Sequence, residues 1–363
     1  MAVIRLGARP SQLSMWQVNW CAQALRAQGR QVEVVPIHTS GDIDRSSVIA
    51  NLGAQGVFTK EIQRALLNGE IDAAVHSLKD LPVEKIPGLT LAATPKREEP
   101  YDVFVSTKYP TLEELPPGAT IGTGSLRRVS MALRYCAKLY PEKPQWRAMP
   151  TRGNVETRLK KLQDGEYDAL ILASAGLKRL GLQSKYCVKL NAPDFLPAVG
   201  QGALGLEIRQ DASDDIRQAV TSLNDETTYL CVQAERSFLA TLQGGCLMPI
   251  GAHAQLVPGE NDLDVLILQA QILSFDGQES HSTQSLQFLP RVDDSNALPF
   301  STKVSLAQLL GVNAANNIME QGASELVERI RAERQSHAPQ ASQSGQTTVD
   351  LKQDAPETRR SKQ

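Results

Sequence analysis

A segment that occurs twice constrains this chain most. Asn68-Gly69-Glu70-Ile71-Asp72-Ala73 returns as Asp164-Gly165-Glu166-Tyr167-Asp168-Ala169, and a charged amphipathic helix pattern precedes each copy, Lys60 to Leu67 and Val155 to Leu162. Each copy leads into a short apolar run and then a second similar stretch, Leu78-Lys79-Asp80-Leu81 in the first and Leu177-Lys178-Arg179-Leu180 in the second. Helix, glycine stop and buried strand in the same order argue for two similar α/β domains facing one another. Ligands bind beyond the carboxyl ends of the strands in open α/β sheets, so Ser77, Lys79 and Asp80 stand where a site is expected. Arg179 stands at nearly the same place in the second copy. The bland reading of either charged turn is solvation. The duplication favours a cleft with a carboxylate on one wall and guanidinium groups on the other.

At 363 residues there is room for two or three domains. A net charge of −2 gives no general attraction to nucleic acid or anionic lipid, so any positive site must be local. No apolar run approaches the roughly 20 residues a membrane span needs, and Arg5 and Arg9 interrupt the opening stretch as a signal-peptide core. These features point to the cytoplasm. The five cysteines, Cys21, Cys136, Cys187, Cys231 and Cys246, include no C-x-x-C pair, and the five histidines are scattered, which argues against a disulfide framework or a metal site.

Along the chain, Ser11 to Gln28 reads as a helix capped by Ser11, with Leu13, Trp16, Trp20 and Ala24 at three- and four-residue steps. Val32 to Ile37 reads as a strand, and His38 to Gly56 as a long polar loop of the kind that forms lids. A second domain is expected to begin near Asp102-Val103-Phe104-Val105. There the strand Ala119-Thr120-Ile121 runs into Gly122-Thr123-Gly124-Ser125-Leu126-Arg127-Arg128, a glycine and hydroxyl turn at a helix start, the arrangement that binds anions. Arg152-Gly153-Asn154 with Arg158 repeats the theme. Singly these arginines read as solvated surface; together they read as a carboxylate or phosphate reader.

Leu196 to Gly205 contains a G-x-G-x-x-G match, but Leu206-Glu207-Ile208-Arg209 then alternates like a strand and no helix opens, so a crossover back to the first domain is preferred to a dinucleotide site. Ser213 to Gln243 reads as helical, Ala252 to Val257, Val265 to Ile272 and Thr283 to Phe288 as strands, and Leu306 to Arg334 as the final helix, together a small α+β domain. From residue 335 the composition is that of a disordered tail. Cys21, Cys136 and Cys231 read as core thiols and Cys187 is uninformative. Cys246, after Gly244-Gly245, lies on a loop that can approach a ligand; the residues alone leave it open between that and a structural role.

His76-Ser77-Leu78-Lys79-Asp80, Gly122 to Arg128, Arg152-Gly153-Asn154-Val155, Ala198-Val199-Gly200-Gln201-Gly202-Ala203 and Gly244-Gly245-Cys246 occur in the order found in the porphobilinogen deaminase (hydroxymethylbilane synthase) family, which the chain resembles closely from Ile4 to about Gly251. The resemblance implies two periplasmic-binding-protein-like α/β domains plus a smaller α+β C-terminal domain. The units would be 1–100 with 203–224, 101–202 and 225–334, followed by the tail 335–363. It implies a monomeric cytoplasmic transferase that condenses four porphobilinogen molecules head to tail, with no nucleic-acid or membrane partner and no metal. By the same resemblance Cys246 carries a dipyrromethane cofactor through a thioether and Asp80 is the catalytic acid. Arg9, Ser11, Lys79, Thr123, Ser125, Arg127, Arg128, Arg152 and Arg158 would bind cofactor or substrate carboxylates. Arg179 would lie near incoming substrate, Phe58 would stack on the pyrroles, and Ser77 and Gln201 would line the cleft. Gln55, where bacterial members usually have lysine, and Gly124, where they have serine, depart from the pattern. Residues 289–302 look like an insertion. Two other readings are a cytoplasmic solute-binding module for a carboxylate and a nucleic-acid binder; the second fits poorly with near-neutral charge and few aromatic residues.

Overall fold

The computed structural model describes residues 3–39, 59–142, 145–243, 248–260, 263–290 and 298–336. Phe58, Cys246, most of the 38–56 loop, residues 291–297 and the chain from 337 onward lie outside the described residues. In chain order the first elements are β1 (Ile4–Ala8), α1 (Gln12–Ala27), β2 (Val32–Pro36), α2 (Lys60–Leu67), β3 (Ala73–Ser77) and β4 (Leu89–Ala93). Then come β5 (Asp102–Ser106), β6 (Thr120–Gly122), α3 (Leu126–Leu139), β7 (Arg147–Met149), α4 (Val155–Gln163), β8 (Ala169–Ala173), α5 (Ser174–Leu180) and β9 (Tyr186–Lys189). The chain continues through β10 (Leu204–Arg209), α6 (Asp214–Thr221), α7 (Glu226–Thr241), β11 (Ile250–Pro258), β12 (Leu263–Leu273), β13 (Ser280–Pro290), α8 (Phe300–Ile318) and α9 (Ser324–Ser336).

The strands make two five-stranded sheets of one pattern, β2-β1-β3-β10-β4 and β7-β6-β8-β5-β9, and a third sheet, β11-β12-β13. In the first, β1 runs parallel to β2 and β3 while β10 is antiparallel to β3 and β4. In the second, β6 runs parallel to β7 and β8 while β5 is antiparallel to β8 and β9. The doubled sequence segment explains the match. Gly69 and Gly165 both take positive φ, 72° and 81°, where the helix turns into the strand. Asp72 and Asp168 then do the same work: each carboxylate accepts the backbone N–H of the neighbouring parallel strand, from Arg5 at 2.9 Å and from Thr120 at 2.8 Å.

Strand alternation sorts the side chains. Ala73 and Val75 join the core with α1, among Val18, Cys21 and Leu25, while Ala74 faces Ile62 and Leu66 of α2. The third unit packs α7, α8 and α9 on its antiparallel sheet, with Phe238, Leu268, Ile272, Leu310 and Ile318 fully buried. Where the sequence reads as single helices, the chain breaks twice. Asp225 interrupts the 213–243 stretch by accepting the Thr228 N–H at 2.8 Å, so α7 starts afresh with its own cap. Gly322, at φ 106°, separates α8 from α9, and α8 begins at Phe300, earlier than the Leu306 expected, with the Pro299 carbonyl before it accepting the Lys303 N–H at 3.1 Å.

Return of the chain to the first sheet depends on two glycines. Gly200 and Gly202 have φ of 69° and 84°, and a Cβ on Gly202 would stand 2.4 Å from the Glu98 carbonyl oxygen. At Gly165 the φ is 81° with open space around it. Gly165→Ala should therefore lose about 1 kcal/mol of stability, for its backbone alone, and Gly202→Ala about 3 kcal/mol or more, since the carbonyl must also move. Equilibrium denaturation of the two variants checks this; equal losses would contradict it.

Candidate active site

β3 ends at Ser77, and a single 3-10 turn, Leu78–Asp80, carries Lys79 and Asp80 beyond the sheet edge. Ser77 faces α1, where its hydroxyl pairs with the Gln17 amide at 2.8 Å. Beside them lies a small cleft of about 80 Å³, lined by Gln17, Ser77, Lys79, Arg128, Arg158 and Arg179 together with apolar side chains of α1, α4 and α5. None of its described lining residues is acidic. Asp80, exposed at the turn, is near enough to oppose the charges of both Lys79 and Arg158.

The electrostatics mark the cleft as short of anions. Burial pushes the Lys79 ammonium below its usual range; Asp80 and Asp102 oppose this and the guanidiniums of Arg128 and Arg127 reinforce it. Burial likewise lowers Arg158 and Arg179. Arg158 donates to the Gly153 carbonyl at 2.9 Å. Arg179 donates to the Gly202 carbonyl at 2.7 Å, and its Cζ lies 5.6 Å from the Trp16 ring centroid. Cations lowered by burial without full compensation are what an anion binder looks like before its ligand arrives.

Behind this wall is a residue that sequence reasoning did not single out. Asp102, at the first position of β5, is completely buried and accepts from Arg127 Nη1 at 2.7 Å, from Arg128 Nε and Nη2 at 3.0 and 2.8 Å, and from Gln201 Nε2 at 2.9 Å. Burial alone would raise its carboxyl, but the two guanidiniums outweigh that and hold it far below the usual carboxylate range. Arg128 also donates to the Ile171 carbonyl at 3.0 Å and still reaches the cleft. Arg127 does not: Nη1 is taken by Asp102 and by the Leu196 carbonyl at 2.6 Å, and Nε is buried without a partner. A lone Asp before an apolar run looks like a strand boundary, and its partners lie 25 to 99 residues away.

The other candidates are placed as follows. Ser11 caps α1, accepting the Ser14 N–H at 3.3 Å. Arg9 is partly buried just after β1. Thr123 is buried and accepts the Ser125 N–H at 3.2 Å, while the Ser125 side chain caps no helix N–H. Arg152 is exposed beside the start of α4, where Asn154 accepts the Thr157 N–H at 2.9 Å. At Gly124 a Cβ would stand 3.1 Å from the Thr151 carbonyl oxygen, so a side chain there would crowd the neighbouring loop.

Residues 4–217 match the family model "Porphobilinogen deaminase, dipyromethane cofactor binding domain", and residues 229–317 match "Porphobilinogen deaminase, C-terminal domain". The chain belongs to the porphobilinogen deaminase family. Among curated relatives, the porphobilinogen deaminase of Helicobacter hepaticus is 43% identical over 329 residues, covering 89% of this chain and 94% of that protein. That of Desulforudis audaxviator is 41% identical, with 90% and 97% covered. Among solved structures, a periplasmic substrate-binding protein of an ABC transporter from Coxiella burnetii overlaps 61% of this chain and 91% of its own, at 14% identity and a TM-score of 0.38. The methionine-binding protein MetQ overlaps 61% and 94%, at 13% identity and a TM-score of 0.37.

The described residues suit the cofactor for which the porphobilinogen deaminase family model is named. Pyrrole rings bearing acid side chains need cations at the cleft walls, and Lys79, Arg128, Arg158 and Arg179 supply them.

The brace yields a pH dependence. The folded Asp102 carboxyl titrates below its unfolded value of about 3.9, so its contribution is complete above that pH and is lost as pH falls toward the folded value. Asp102→Asn should cost about 3–5 kcal/mol at neutral pH by leaving two buried guanidiniums uncompensated, and should flatten the loss of stability below about pH 4. Urea denaturation between pH 3 and 7 checks both; an unchanged acid slope would contradict the assignment.

Proposed function

We propose that this cleft joins four porphobilinogen molecules head to tail on a dipyrromethane primer held through a thioether at Cys246, with loss of ammonia at each step, and then releases hydroxymethylbilane by hydrolysis. The chain is then a transferase of tetrapyrrole biosynthesis, acting in the cytoplasm as a monomer. Its working units are 1–100 with 203–224, 101–202 and 225–334. Among the described residues no helix is long and apolar enough to cross a membrane. The observation that carries the reading is a carboxylate, Asp80, beside the half-buried cations Lys79 and Arg158, in a cleft whose described lining includes Arg128 and Arg179 and no acid.

When bound, the dipyrromethane supplies the pyrrole carbon from which the product grows. Loss of ammonia from the substrate's aminomethyl group leaves positive charge on the pyrrole, and that charge persists after attack until a proton departs. A carboxylate fixed beside the ring stabilises it and can take or return the proton, the role given to Asp80. Each added ring brings an acetate and a propionate. Arg128 and Arg158 stay protonated through the reaction; Arg158 can take a carboxylate bidentately, Arg128, held by Asp102 and the Ile171 carbonyl, can add a single contact, and Lys79 offers a mobile point charge. Arg179, on its Trp16 seat, meets the incoming substrate, and Gln17 and Ser77 offer polar contacts on the opposite wall. Arg9, Ser11, Thr123, Ser125 and Arg152 extend the anion-binding surface. Arg127 and Gln201 act through the Asp102 brace.

Asp80→Asn should reduce kcat by about 10²–10³-fold while the protein keeps its covalent pyrrole adduct, seen as extra mass on the intact chain. Cys246→Ser should lack that mass. Undiminished turnover in Asp80→Asn, or an adduct persisting in Cys246→Ser, would refute the corresponding assignment.

A further inference from the structure

We infer that Arg236 is a positioning residue for Asp80, fixing the catalytic turn from the helix that leads to the cofactor's cysteine. The inference rests on the role given to Asp80 above and deepens it. Arg236 lies on α7, which ends at Thr241, shortly before Cys246 in the chain. Its Nη1 donates to the Leu81 carbonyl at 2.9 Å and its Nη2 to the Pro82 carbonyl at 2.7 Å. Those are the two carbonyls that follow Asp80 directly, and two bonds from one rigid fork fix two successive peptide planes.

One turn earlier on the same face of α7, Val232 is fully buried against Leu78 and Leu81, the residues that bracket Lys79 and Asp80. Within the turn itself, the Leu78 N–H is held by the Ala203 carbonyl at 3.0 Å, and the Leu81 N–H by the Leu78 carbonyl at 3.1 Å. Apolar packing therefore sets the depth of the turn, and Arg236 sets its orientation. Glu207 and Glu84 supply opposing charge to the guanidinium. A carboxylate acting on a growing chain must keep its place relative to the point of attachment, and a displacement of about 1 Å can cost on the order of 10²-fold in rate. Because α7 grips the turn through both the Arg236 fork and Val232, it can hold the acid in place.

The test uses the full-length, adduct-bearing protein in porphobilinogen turnover. Arg236→Lys keeps the charge but not the fork. It should carry the adduct and hold KM within about twofold while kcat falls about tenfold or more. On an Asp80→Glu background, where the acid is already displaced, the same substitution should lower kcat less than about twofold further. An unchanged kcat, or the same fold-loss on both backgrounds, would overturn the inference. Arg236→Gln, able to serve only one carbonyl at a time, runs the same comparison if the lysine variant does not fold. An unsubstituted chain with neither adduct nor turnover would sink the functional reading and this inference together, whereas an active chain indifferent to Arg236 sinks this inference alone.

Discussion

Everything at the cleft rests on one buried carboxylate held between two buried guanidiniums. Removing Asp102, Arg127 and Arg128 from water is expensive for each alone, and it is their mutual pairing and hydrogen bonding that makes the cluster tenable. Two cations against one anion also leave a surplus positive charge inside the protein. The ammonium of Lys79 feels that charge, since Arg128 and Arg127 help depress it while Asp102 opposes. The brace thus both fixes Arg128, the one of the pair that reaches the cleft, and lends the wall its sign.

The same cluster sits where the chain crosses between the two large sheets. Gln201 bonds Asp102 and also donates to the Pro100 carbonyl at 2.6 Å, linking the outgoing and returning segments. Next to it, the buried Glu235 of α7 receives Arg97 Nη1 at 2.6 Å, the Gly200 N–H at 2.7 Å and the Ala254 N–H at 2.9 Å. The third unit is therefore tied to the crossover by one carboxylate serving three segments. It also touches the second sheet's helix α3, where Ser130 donates to the Phe275 carbonyl at 3.1 Å. Anion clamp, acid turn and third unit meet around a small set of buried ionic contacts, which gives the cleft defined walls despite its polar lining.

The sequence made the duplicated α/β framework readable because it uses local signals. Glycine at a helix end, aspartate before a strand and Ser11 as a helix cap each work through near neighbours in the chain or the next strand. The positions of Lys79 and Asp80 followed from strand-end logic alone. Asp102 was illegible because its meaning comes from Arg127, Arg128 and Gln201, brought together only by folding. For the same reason Arg127 reads from its motif as a ligand arginine, although its guanidinium turns inward to Asp102 and Leu196. The unexpected breaks at Asp225 and Gly322 show side-chain capping and left-handed backbone overriding an otherwise helical pattern.

The most direct measurement is a crystal structure of the protein carrying its covalent pyrrole chain. The account predicts acid side chains of that chain bonded to Arg128, Arg158 and Lys79, with the Asp80 carboxylate against the pyrrole nitrogens. A pyrrole chain lying outside this cleft, or one whose acid groups meet other residues while Asp80 faces solvent, would contradict it.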